Sequence, residues 1–196
     1  MVYNCNMENK REILFKTQEN LDQIDLNKIL VNKVFELNPK LAEIGTLDDF
    51  LNYIKYIFPK SKMKNIVWHG TPKGKIKEFD EDVQGVSKAF FFSDSLEHAN
   101  KVANWKNGEP TIHGVLLNIE NPLKESITPS LHPKETKPEI IERARNSGYD
   151  SLILDTKDLG IKIMEYIVLK SNQVYILGTE ADEVQFNNYM KNKINI

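Results

Sequence analysis

The chain has 196 residues, 40% of them hydrophobic, 28% charged and 9% aromatic, with a net charge of −2. Such a length and apolar content suit one packed domain with an extension, and they exclude a disordered chain. The near-balanced charge argues against a partner held chiefly through a nucleic-acid backbone or an anionic membrane. A single cysteine, Cys5, rules out a disulfide framework or a cysteine zinc site within one chain. The start lacks a basic-then-apolar leader, and no apolar run reaches membrane-span length. A cytoplasmic location is expected, in a bacterium or in a host cell after delivery.

Taken in chain order, residues 1–62 read as a helical N-terminal region and residues 63–196 as the main domain. A weak helix is expected over 8–21. A better one starts after the cap candidate Asp25 and ends at Asn38-Pro39, because a residue before proline is pushed out of the α region. Thr46 with Asp49 resembles a capping box, with Asp in the place of Glu or Gln. The stripe Leu47, Phe50, Leu51, Ile54, Ile57 and Phe58 then predicts an amphipathic helix stopped by Pro59. Pro59 to Asn65 is too short for a long linker, so this helix should dock on the main domain.

From Asn65 the pattern turns to strands. Ile66-Val67-Trp68 and the run Ala89-Phe90-Phe91-Phe92 are the first two. A helix is expected over 95–105 with Asp94 as its N-cap, and then a strand over 112–119 ended by Asn121-Pro122. Residues 123–137 read as a surface loop, and 138–146 as a helix with proline in its first turn and Gly148 beyond its end. A buried strand is expected over 151–154. Two more, over 161–169 and 174–177, should be joined by a Ser171-Asn172 turn, with a short final helix over 181–191. Short strands broken by helices predict an α+β fold, with two small, mainly antiparallel sheets packed as a split sandwich.

Three strands carry marked residues. His69 is followed by Gly70, which permits close approach to the backbone, and by the hydroxyl of Thr71. Phe91 must face away from Phe90 and Phe92, because side chains alternate along a strand. Glu165 is the one acid in Ile163-Met164-Glu165-Tyr166-Ile167-Val168-Leu169, where an acid must be edge-exposed, paired or functional. Each alone has a plain structural reading: an exposed histidine, a core phenylalanine, a solvent-facing glutamate. His69, His98, His113 and His132 have no metal-ligand spacing, so no metal is expected.

Together and in this order, the motifs resemble those of ADP-ribosyltransferases of the histidine–tyrosine–glutamate group, which includes diphtheria toxin and the poly(ADP-ribose) polymerases. The likeness is closest to the small ADP-ribosyltransferase domains of polyvalent proteins in phages and other mobile elements. It rests on Val67-Trp68-His69-Gly70-Thr71, Glu78-Phe79-Asp80, Phe91-Phe92-Ser93-Asp94, Gly148-Tyr149-Asp150-Ser151-Leu152 and Glu165-Tyr166-Ile167-Val168, and it spans about 46–178. The first 45 residues match no pattern we can name.

The resemblance implies NAD as co-substrate, without a metal. It implies that His69 contacts the ribose side of NAD and that Gly70 holds the nicotinamide carboxamide through its backbone, with the Thr71 hydroxyl nearby. Phe91 would stack on nicotinamide where a tyrosine usually stands; stacking survives that change and a hydroxyl hydrogen bond is lost. Ser93 would line the same pocket. Glu165 would contact the ribose 2′-hydroxyl and stabilise the oxocarbenium ion, which makes Glu165 and His69 the catalytic pair. The implied activity is transfer of ADP-ribose to a macromolecular acceptor, protein favoured over nucleic acid, by a toxin, effector or mobile-element conflict factor. An antitoxin or a host target would be its further partner, and no membrane is involved. A NAD glycohydrolase and a silent NAD-binding module of the same fold are the rival readings.

Overall fold

The computed structural model describes residues 27–81, 87–127, 136–158 and 161–194. The helix expected over 8–21, the Asp25 cap and Cys5 lie outside the described residues.

Three helices come first. Helix α1, described over 27–37, buries Val31 and Val34 and ends before Asn38-Pro39 as expected. Asn38 Nδ2 donates to the Gly178 carbonyl and to the Glu183 carboxylate, each at 2.7 Å, and so ties this end to the C-terminal part of the chain. Helix α2 (Leu41–Ile44) is too short to show a periodicity and was not anticipated. Helix α3 (Leu47–Ile57) has its capping box in both directions. Asp49 N donates to Thr46 Oγ1 at 3.2 Å, and Thr46 N donates to Asp49 Oδ2 at 3.0 Å.

The apolar stripe of α3 is docked. Phe50, Tyr53 and Ile54 are buried in one cluster with Ile66, Trp68, Leu116, Leu177 and Phe186. Beneath it lies Asp182, fully buried, which accepts from Tyr53 Oη at 2.9 Å, Tyr175 Oη at 3.0 Å and the Gly178 amide at 2.7 Å. Burial, partly offset by these donors, pushes its carboxyl up to about 6.

The seven strands are β1 (Val67–Thr71), β2 (Phe90–Ser93), β3 (Thr111–Leu117), β4 (Pro122–Ile127), β5 (Ser151–Asp158), β6 (Ile161–Val168) and β7 (Val174–Ile176). Their order is β4-β5-β6-β2-β1-β3-β7, antiparallel except for β4–β5. The two expected sheets are therefore continuous in their strand order, but the seam between them is thin. One registered pair, Trp68↔Ser93, joins β1 to β2, whereas β1 and β3 share five pairs. The halves also pack through one core, in which Val67, Val115, Leu117 and Ile176 meet Phe90, Phe92 and Val168.

Two further sequence expectations need correction. The stretch read as a loop over 123–137 begins with strand β4. Proline can open an edge strand because its missing N–H is not needed there, and the charges of Lys124 and Glu125 hid the pattern. Parallel β4 and β5 need a crossover, which helix α5 (Lys137–Asn146) supplies. Pro138 in its first turn and Gly148 at φ +77° bound α5 as expected.

Helix α4 (Leu96–Ala103) is capped by Ser95, whose Oγ accepts from His98 N at 3.1 Å. Asp94 is not the cap; its Oδ1 accepts from Met164 N at 3.1 Å and fastens β6. The turn at Ser171–Gln173 joins β6 to β7 as expected, but the two strands do not pair, because β6 lies in one half and β7 at the far edge of the other. The Gln173 side chain holds this crossing. It accepts from the Leu169 and Lys170 amides at 3.1 and 3.0 Å and donates to the Asn118 and Asp150 carbonyls at 2.9 and 3.1 Å. Helix α6 (Glu180–Ile194) closes the described chain. No helix among the described residues is long and apolar enough to cross a membrane.

Candidate active site

The marked strands are neighbours. β2 lies between β1 and β6, so Phe91 and Ser93 sit between His69 and Glu165. Ser93 stands opposite Trp68 on one side and opposite Glu165 on the other. Motifs far apart in sequence thus share one stretch of sheet, at the seam between its halves.

His69 Nδ1 lies 2.9 Å from the Phe91 carbonyl. A carbonyl only accepts, so Nδ1 carries the proton and donates, and in the neutral ring Nε2 is the acceptor. Burial pushes the pKa of this imidazole below its ordinary value, against the pull of that hydrogen bond. Phe79 meets the ring edge-on at 5.0 Å between centroids, and Phe92 lies at 5.6 Å. The ring is thus held by one hydrogen bond and two aromatic neighbours, with burial disfavouring its charged form.

The β2 alternation is as expected: Phe90 and Phe92 are 7% and 3% exposed, Phe91 37%. Both hydroxyls of the motif residues are buried and engaged locally. Ser93 Oγ accepts from the Ser95 amide at 3.0 Å, at the start of α4, and Thr71 Oγ1 accepts from the Lys73 amide at 3.2 Å. The approach that Gly70 permits here is that of helix α4. A Cβ at this position would lie 1.8 Å from the Ala99 carbonyl oxygen.

Glu165 resolves as a paired acid. Its side chain is 14% exposed, and Lys137 Nζ lies 2.8 Å from Oε1 and 2.6 Å from Oε2. Its cross-strand neighbours are Leu154 on β5 and Ser93 on β2. Sequence reasoning missed Lys137, placed in the supposed loop, because nothing in a one-dimensional pattern links positions 28 residues apart. It also missed His113, which stands directly opposite His69 across β1 and β3. Burial, then the neighbouring His69, pushes His113 down to about 4, and its Nε2 lies 3.4 Å from the Ile76 amide.

Two cavities flank this region. One of about 650 Å³ is lined by Lys62, Lys64, Lys124, Met164 and Tyr166. A larger one of about 1340 Å³ includes His113, Lys75 and Glu109. Phe91 and Glu165 line neither. Among the described residues no group of three or more His, Cys, Asp or Glu side chains is placed to hold a metal ion.

Residues 63–188 match the family model of the ADP-ribosyltransferase in polyvalent proteins. The chain belongs to this family of ADP-ribosyltransferases. Its members use NAD as substrate and modify macromolecular acceptors. The α+β fold with its mainly antiparallel strands agrees with that membership. No curated protein matches the chain.

Proposed function

We propose that this ADP-ribosyltransferase is an active mono-ADP-ribosyltransferase that cleaves the nicotinamide–ribose bond of NAD and passes ADP-ribose to a macromolecular acceptor. A protein acceptor is favoured, because no stripe of aromatic and basic residues suits stacking on nucleic-acid bases. The biological role is that of a cytoplasmic toxin, effector or mobile-element conflict factor.

One observation carries the reading: the strands bearing His69, Phe91 and Glu165 lie side by side, with His69 bonded to the Phe91 backbone. Nicotinamide leaves NAD as a neutral base from a cationic ring, so the leaving group needs no proton. Positive charge then develops on the ribose. The protein must orient that ribose and place negative charge beside it. His69 Nε2 accepts from a ribose hydroxyl. The Gly70 backbone holds the carboxamide, and Thr71 and Ser93 shape the pocket from their buried positions. Phe91 offers its exposed ring to the nicotinamide face. The Glu165 carboxylate accepts from the 2′-hydroxyl and faces the oxocarbenium ion. The C1′–nicotinamide bond breaks, and an acceptor nucleophile bonds to C1′ and loses its proton.

The test is incubation with NAD labelled in its adenylate half, plus a cell lysate. Nicotinamide release with label in protease-sensitive material supports the reading. Nuclease-sensitive label moves the acceptor to nucleic acid, free ADP-ribose alone makes the protein a glycohydrolase, and no nicotinamide release refutes catalysis.

A further inference from the structure

Glu165 cannot bring its full charge to the ribose while the Lys137 ammonium is paired with it. The ammonium donates to Oε1 at 2.8 Å and lies 2.6 Å from Oε2, which is buried and accepts no hydrogen bond; it offsets the charge the ribose cation needs and occupies one acceptor position of the carboxylate. The backbone of Lys137 is fixed. It is the first residue of α5, where Thr136 N and Oγ1 donate to Glu139 Oε2 at 2.6 and 2.9 Å. Ile140, Ile141 and Ala144 of the same helix are buried against Leu152, Leu154 and Ile167. The ammonium end is not fixed in the same way. The Lys137 side chain is 44% exposed while that of Glu165 is 14% exposed, so the cation reaches in from solvent over a flexible four-carbon stem.

We propose that Lys137 is a positioning residue for Glu165: in the absence of NAD it holds the carboxylate aimed, and it is exchanged for the nicotinamide ribose when NAD binds. The inference rests on the NAD-cleaving reading of this site. The hydroxyl-bearing ribose takes over the acceptor position at Oε1, and the displaced ammonium regains water. Lys137 thus acts on the ground state, before chemistry. Its removal leaves a largely buried carboxylate without its counter-charge, which NAD no longer has to displace. NAD affinity rises.

The test is a double-mutant cycle on the full chain with carba-NAD, whose nicotinamide bond does not cleave. Four proteins are compared by calorimetry: the parent, Lys137→Met, Glu165→Gln and the double variant. Lys137→Met should bind about two- to fivefold tighter than the parent, the range for an ion pair with one half-exposed member. The gain should vanish in the Glu165→Gln background, because Lys137 acts through Glu165. With NAD, Lys137→Met should lower KM by a similar factor, and Lys137→Arg should restore the parent KM.

Weaker binding by Lys137→Met would overturn the proposal, since the ammonium would then be holding NAD itself. A gain that persists beside Glu165→Gln, or no change at all, would overturn it equally. If carba-NAD fails to bind the parent, the NAD-cleaving reading is what falls. If the parent binds it and Lys137→Met binds identically, only the Lys137 assignment falls.

Discussion

Gly70→Ala separates two reasons for a glycine beside His69. A Cβ built there would lie 1.8 Å from the Ala99 oxygen, 2.7 Å from the Ala99 carbonyl carbon and 3.0 Å from the Ala103 nitrogen. All three atoms are backbone of α4, so no flexible side-chain end can swing aside. Reaching an ordinary contact of about 3.5 Å would require α4 to withdraw by roughly 1.7 Å. Helix α4 buries Ala99 and Ala103 and cannot move without opening the core beneath it. Overpacking of this kind costs about 1–3 kcal/mol, and a backbone clash belongs at the upper end. An alanine that fits would instead gain about 0.4–1 kcal/mol by stiffening the unfolded chain, so the clash wins. For a chain of this size a loss of about 3 kcal/mol lowers Tm by roughly 6–12 °C. Thermal unfolding followed by circular dichroism reads this directly. Gly148→Ala is the control: its Cβ meets nothing within 4 Å, and it bears only the left-handed strain of about 1–2 kcal/mol. A Gly70→Ala protein with the parent Tm but weakened NAD binding would refute the helix-packing reason and return the glycine to the ligand.

Phe91→Ala should weaken NAD binding while Phe91→Tyr preserves it; equal affinity in the alanine variant would remove the stacking role. Asp182 carries a pH signature. Its carboxyl is raised from 3.8 to about 6, so the stability it contributes is full below pH 4 and is lost as pH rises through about 6. Parent stability should therefore fall across that window relative to Asp182→Asn, measured by denaturant unfolding at a series of pH values, and parallel curves would contradict the raised value. His113, pushed down to about 4, should stay neutral at pH 5.5 in nitrogen-15 spectra of the imidazoles; a protonated ring there would mean that burial does not control it.

The local features were legible because they are local. The capping box of Thr46 and Asp49, the proline-bounded ends of α1 and α3 and the alternation in β2 each depend on residues a few positions apart. The three site strands were legible through family likeness, and their adjacency needed the fold. What stayed hidden was long-range. The charged edge strand β4 gains its partner from β5, beyond a crossover, and shows no apolar alternation of its own. Lys137 reaches Glu165 only because α5 packs on β5 and β6, and His113 reaches His69 only through the β1–β3 register. The role of Asp94 shifted for the same reason: a distant β6 amide captures the carboxylate that local sequence would assign to the helix.

The central claim is that Glu165 acts on the transition state. Glu165→Gln keeps the size and most of the hydrogen bonding and removes the charge. Single-turnover nicotinamide release from NAD, measured beside NAD affinity on the same protein, isolates that charge. Loss of one such stabiliser costs on the order of 10²-fold or more in rate, while the affinity should change little by comparison. A Glu165→Gln protein that releases nicotinamide at the parent rate would contradict the claim.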